Sequence, residues 1–149
     1  MKVSVEEIGH DKEEFASIYI HEKTNSINTL IDYIENDEYK SIKLSCYKND
    51  QLFKIQSNDI FYVETNKDTL LIHTNNQTYE SKNRLYELEK ILPPKFIRIS
   101  KSTILNLEKV SMYSPLLNGL MEAKLINSET AYISRKYLKE VRNRIKGGL

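Results

Sequence analysis

Among its 149 residues the chain has no Trp, one Cys, three Pro and four Gly. Each shortage excludes something. A single thiol, Cys46, rules out an internal disulfide and fits a reducing compartment. Four glycines, two of them in the tail at Gly147-Gly148, are too few for a loop that cradles phosphate. So little Gly and Pro also argues against a disordered or collagen-like chain. No apolar run approaches the roughly 20 residues that a membrane-spanning helix needs. Met1 to Asp11 alternates charges with valines, unlike a secretory signal, so the expected location is the cytoplasm. None of His10, His21 and His73 stands at metal-ligand spacing with another His or with Cys46, and no metal or other cofactor is expected. No nucleophile elbow and no inviting carboxylate pair appears, so neither an enzyme nor a small-molecule substrate is expected.

What remains is an ordinary soluble mix, 40% apolar and 29% charged. The length suits one domain with a short extension. Ten Tyr and four Phe suggest strands with half-buried aromatic faces. The net charge of +1 hides an asymmetry. Residues 1–45 carry five Lys and ten Asp or Glu, whereas residues 46–149 carry seventeen Lys or Arg and eleven Asp or Glu. An acidic head on a basic body is the charge layout of a polyanion binder with a separate regulatory segment.

The chain opens with two candidate strands, Lys2 to Ile8 and Ala16 to His21. Thr24-Asn25-Ser26 offers capping side chains to a helix whose stripe is Ile27, Leu30, Ile31 and Ile34. Residues 1–40 therefore read as a β-β-α extension. From residue 41 the pattern is mainly strand. Ile42, Leu44 and Cys46 alternate with polar residues, and a Lys48-Asn49-Asp50 turn leads into Leu52 to Ile55. Ile60 to Glu64 is the strongest strand candidate. Thr69 to Thr74 and Gln77 to Ser81 flank Asn75-Asn76, which tolerates the positive φ of a tight hairpin. A second helix has the stripe Leu85, Leu88, Ile91 and Leu92 and stops at Pro93-Pro94. Short strands follow at Phe96–Ile99, Ile104–Asn106, Val110–Tyr113, Leu120–Ile126 and Thr130–Ile133, with turns at Asn118-Gly119 and Asn127-Ser128. Ser134 is placed to cap a last helix that buries Leu138, Val141 and Ile145. Arg135, Lys139, Arg142 and Lys146 make a basic face on it.

Four pieces in order resemble the LytTR DNA-binding family, and they run from about residue 43 to the C-terminus. Asp59-Ile60-Phe61-Tyr62-Val63-Glu64 is similar to its opening strand, Thr69 to Tyr79 to its hairpin, and Leu85 to Leu92 to its helix. The run Phe96 to Asn106 (FIRISKSTILN) is similar to the family's F-x-R-x-H-[R/K/N]-S, two or three more residues, then N, with Ser100 where His is more common. Ile133-Ser134-Arg135-Lys136-Tyr137 resembles its closing S-R-x-Y.

The resemblance implies a mostly β (α+β) fold: a stack of small, mainly antiparallel sheets with two or three helices. It places a DNA-binding domain at residues 43–146, behind the extension. It also implies sequence-specific binding of double-stranded DNA by a transcription regulator whose loops enter successive major grooves. Base contacts fall on Thr69, with Lys67 beside it as the alternative, on Lys101 and on Arg135. Arg suits guanine O6 and N7 bidentately, and Lys reaches the same acceptors. Ser100, Ser102, Lys136 and Lys139 fall where phosphates would be held. Asn106 and Glu64 are expected to bond loop backbone instead. Some forty leading residues are too few for the receiver domain of classical relatives. Two roles stay open for them: forming a homodimer, or docking a partner such as a membrane-bound inhibitor protein. An RNA-binding module with stacking aromatics, or a protein-interaction module, is the competing reading.

Overall fold

The structure, a computed structural model, describes residues 1–147. It divides into two compact units, Met1–Asn36 and Asp37–Leu149. The division falls a few residues before the boundary expected at residue 40.

The first unit holds one helix, α1 (Asn25–Glu35). Thr24 caps it: the residue is extended, and its Oγ1 accepts from the Ile27 N–H at 3.3 Å. Ile27, Leu30, Ile31 and Ile34 form the expected stripe, yet they are only half-buried, and no residue of α1 is buried. The two strands expected before it do not form: residues 1–24 contain neither helix nor strand. Val3 and Val5 alternate as a strand would, but they stand 83% and 86% exposed. Alternation fits a chain for a sheet, but a strand exists only as half of a hydrogen-bonded ladder. The β-β-α extension is thus irregular chain followed by one helix.

Among its described residues the second unit contains ten strands, two α-helices and three single-turn 3-10 helices. The strands are β1 (Lys43–Lys48), β2 (Gln51–Gln56), β3 (Tyr62–Asn66), β4 (Thr69–His73), β5 (Thr78–Ser81), β6 (Phe96–Arg98), β7 (Thr103–Asn106), β8 (Val110–Pro115), β9 (Met121–Leu125) and β10 (Thr130–Ile133). The α-helices are α2 (Leu85–Ile91) and α3 (Arg135–Gly147). Seven strands pair in the order β2-β1-β5-β4-β3-β7-β6, and three in the order β10-β9-β8. Every pairing is antiparallel.

Successive residues of a strand point to opposite faces, and here both faces are used. Ile60, Val63, Leu70, Ile72 and Ile104 join Leu85, Leu88 and Leu92 of the α2 region in one core. Phe61, Ile97 and Leu105 point the other way, into a second core with Met121, Ala123, Leu125, Ile133 and Val141. The neighbours Ile104 and Leu105 therefore anchor two different cores. Asn106 is fully buried between them, and its side chain is spent on backbone: Nδ2 donates to the Ile60 carbonyl at 2.8 Å, and Oδ1 accepts from the Glu108 N–H at 3.1 Å. That matches the expected role.

Several local expectations need correction. Asn75 and Asn76 are not among the residues with positive φ; that loop closes through the Thr74 N–H, which donates to the Gln77 carbonyl at 2.9 Å. Left-handed residues stand instead in the β1–β2 turn (Asn49, Asp50) and at Lys67 and Ser128. Ile91 is half exposed, because it lies six residues after Leu85 and off the stripe formed by Leu85, Leu88 and Leu92. Among the described side chains of α3 only Val141 is fully buried, with Leu138 and Ile145 packed at its rim. The tail expected at Gly147-Gly148 begins at the last residue of α3, and Gly148 lies outside the described residues, as does the Lys146 side chain.

Candidate nucleic-acid interface

Three loops carry the residues singled out in the sequence. The first is the tip of the β3–β4 hairpin. Asn66 and Thr69 form its last pair, leaving Lys67 and Asp68 as the turn. Lys67 is exposed with φ 55°. Thr69 is half-buried, and its hydroxyl donates to the Asn66 carbonyl at 3.2 Å. Its proton is thus used in closing the hairpin, which leaves Lys67 the freer donor at this tip.

The second loop, Ser100–Ser102, joins β6 to β7. Ser100 Oγ accepts from the Ser102 N–H at 3.2 Å, and the two hydroxyls lie 3.3 Å apart. Arg98 braces the loop. Its Nη1 donates to the Lys101 carbonyl at 2.7 Å, while Nε and Nη2 hold Glu89 Oε2 of α2 at 2.9 and 2.8 Å. The Lys101 backbone is clamped while its side chain stays exposed. The third site is the start of α3. Ser134 stands at the expected cap position, where its carbonyl accepts from the Tyr137 N–H at 3.0 Å; its hydroxyl donates to the Ile99 carbonyl at 3.1 Å, and its N–H donates to the same oxygen at 2.9 Å. The helix entry is hooked onto the end of β6.

Backbone bonds tie the three together. The Thr65 N–H, beside the hairpin tip, donates to the Ser102 carbonyl at 2.9 Å. The Ile99 N–H donates to Thr103 at 3.0 Å, and Ile99 accepts from Ser134. The hairpin tip, the Lys101 loop and the residue before Arg135 are consecutive links of one chain of hydrogen bonds. Lys67, Lys101, Arg135, Lys136 and Lys139 are all exposed, and among the described residues none of them belongs to an ion pair. Unpaired cations grouped this way make a field that attracts a polyanion. Lys139 follows Arg135 by one helical turn and shares its face. Lys136 points away from that face and lies over the Tyr137 ring at 5.7 Å.

Arg135 lies against the β8–β9 turn. Gly119 there has φ +82°, and a Cβ added to it would lie 2.7 Å from Arg135 Cδ. Two functional candidates were thus passed over in the sequence: Arg98, which had no role beyond its motif, and Gly119, taken only for a turn. No spacing rule points to either: Arg98 holds Lys101 only because Glu89 of α2 fixes its guanidinium, and Gly119 meets Arg135 across the fold. Glu64 also differs from expectation. Its Oε1 pairs with His73 Nε2 at 2.9 Å instead of bonding loop backbone, and His73 Nδ1 meets Thr78 Oγ1 at 3.1 Å.

Residues 50–146 match the LytTr DNA-binding domain family. This chain belongs to the LytTR family. The membership makes it a DNA-binding transcription regulator. A relative from Staphylococcus aureus (strain NCTC 8325 / PS 47), described as an uncharacterized HTH-type transcriptional regulator, is 32% identical over 145 residues, covering 97% of this chain and 98% of its own. A counterpart with the same description from strain MRSA252 is 31% identical over the same span. The solved LytTr DNA-binding domain of a putative methyl-accepting/DNA response regulator from Bacillus cereus superposes with a TM-score of 0.66 at 21% identity, covering 69% of this chain and 95% of its own. The expected LytTR fold is therefore present. A helix–turn–helix is not found among the described residues of this LytTR protein: strands separate α1 from α2 and α2 from α3. None of its described helices is long and apolar enough to cross a membrane.

Proposed function

We propose that this LytTR protein reads duplex DNA sequence through the three linked loops, with Lys67 or Thr69, Lys101 and Arg135 reaching base edges in successive major grooves. Ser100, Ser102, Lys136 and Lys139 hold phosphates and fix the register without reading sequence. The protein acts as a homodimer on a pair of short direct repeats, one subunit to each. The observation that carries the reading is the chain of hydrogen bonds that joins the loops beneath unpaired cations. Pre-organised loops meet a duplex without first spending ordering entropy. Arg135 adds a specific argument. A cation at a helix N-terminus opposes the macrodipole, so its presence at the first residue of α3 calls for a compensating role.

Two substitutions test the division of labour. Arg135→Ala should cost about 1–3 kcal/mol on a selected site and relax preference at one base pair. Lys136→Ala should weaken all duplexes alike and lower the slope of log affinity against log salt by about one. Equal losses of Arg135→Ala on selected and scrambled duplexes would remove its base-reading role. A preference for single-stranded RNA over duplex DNA in competition would favour the stacking module instead.

A further inference from the structure

The β8–β9 turn carries a feature that base reading by itself does not use. Leu116 and Leu120 close it, the Leu116 N–H donating to the Leu120 carbonyl at 2.9 Å. Within it the Gly119 N–H donates to the Leu116 carbonyl at 3.2 Å, and Asn118 Oδ1 accepts from the Leu120 N–H at 3.3 Å. Gly119 meets two separate demands. Its φ of +82° is a left-handed value that glycine adopts freely. It also has Arg135 lying on it: an added Cβ would come 2.7 Å from Cδ, 3.1 Å from Cγ and 3.3 Å from Nε of that side chain. The turn itself asks only for the first, and Asn tolerates it better than other residues that carry a Cβ. The second is a demand of Arg135 alone.

We infer that Gly119 is a positioning residue for Arg135: the bare backbone of the β8–β9 turn is the seat on which the arginine stem rests, and it aims the guanidinium at DNA. The inference rests on the base-reading role proposed for Arg135. An arginine free to swing loses rotamer entropy each time it binds, whereas a seated one has lost much of it already. The turn therefore belongs to the reading edge although it adjoins none of the three loops in sequence.

Gly119→Asn separates the two demands, since it keeps the left-handed turn and adds the Cβ. The full chain is used, with a duplex selected by the wild-type protein from a random pool and a scrambled control. Gly119→Asn should melt close to wild type, bind the selected duplex about fivefold or more weakly, and leave the scrambled duplex unchanged. In an Arg135→Ala background the same substitution should change affinity less than about twofold, because coupled residues are non-additive. Gly119→Ala, which breaks both demands, should lower the melting temperature as well. A second readout needs no DNA: the heteronuclear NOE of Arg135 Nε–Hε in the free protein should be high in wild type and fall in Gly119→Asn. An unchanged NOE, or equal losses of binding with and without Arg135, would overturn the seat. A lowered NOE with no loss of specificity in Arg135→Ala would retain the seat and reject base reading.

Discussion

The two units of the chain treat the same sequence pattern in opposite ways. Val3 and Val5 alternate with polar residues much as Leu44 and Cys46 do. The first pair stands more than four-fifths exposed in irregular chain; the second is buried in β1 at 7% and 0% exposure. Pattern is common to both, and what differs is a neighbour. β1 has β2 on one side, in a register running from Lys43↔Gln56 to Lys48↔Gln51, and β5 on the other. The two-residue turn that starts this pairing holds Asn49 and Asp50 at positive φ, which matches the twist of a hairpin. The turn within residues 1–24, where the Lys12 N–H donates to the Gly9 carbonyl at 3.0 Å, holds no residue at positive φ. A periodic strand signal thus reports suitability for a sheet, and the turn chemistry beside it reports whether the sheet forms.

The comparison is sharpest where burial is complete. Ile60→Ala removes a fully buried side chain from the first core and should cost about 2–5 kcal/mol. Urea unfolding should show a lower midpoint at an unchanged slope. A loss below about 1 kcal/mol would mean that this core is loosely packed.

A smaller effect is expected from Cys46. Burial pushes its thiol up to about 11 from an ordinary value of 9.0. Between those two values the unfolded chain releases a proton that the folded chain retains. The stabilisation is complete below pH 9 and is lost as pH rises toward 11. Tyr62 adds a later step of the same sign, its phenol pushed up to about 12 chiefly by burial and then by the carboxylates of Glu129 and Glu64. Cys46→Ala should therefore flatten the fall of melting temperature between pH 9 and 11 relative to wild type. Parallel curves would show that the thiol is not the source.

The smallest effect belongs to the first unit. Val5→Ser and Phe15→Ser change side chains that are 86% and 84% exposed, and each should shift stability by less than about 0.5 kcal/mol. If either lowered the melting temperature as Ile60→Ala does, the contrast between the units would fail, and a surface covered in solution would have to be sought.

Nearly every strand of the second unit was legible in the sequence, because strand-forming runs alternate there with turn residues at short intervals. Even so, the strand expected from Ile60 begins at Tyr62: Ile60 and Phe61 are buried in different cores, and Phe61 already bonds to His73 of β4 and Asn106 of β7 through its backbone. Hydrogen bonds through Ile99 and Ser134 link the loop that carries Lys101 to the residue before Arg135. Their supports were not legible. Arg98 reaches Glu89, and Gly119 meets Arg135, through contacts that only the folded chain creates. Asn75-Asn76 misled because a residue that tolerates positive φ need not adopt it when a threonine hydroxyl can close the loop instead.

The seven-strand order ends on β2, which has a single neighbour. The outer row of amides and carbonyls on Gln51–Gln56 is thus a template on which stray chains can polymerise. Lys54, exposed midway along that row, is the built-in deterrent: any incoming strand would have to strip water from its ammonium. Solubility at high concentration consequently leans on one lysine that is not among the cations proposed to meet DNA.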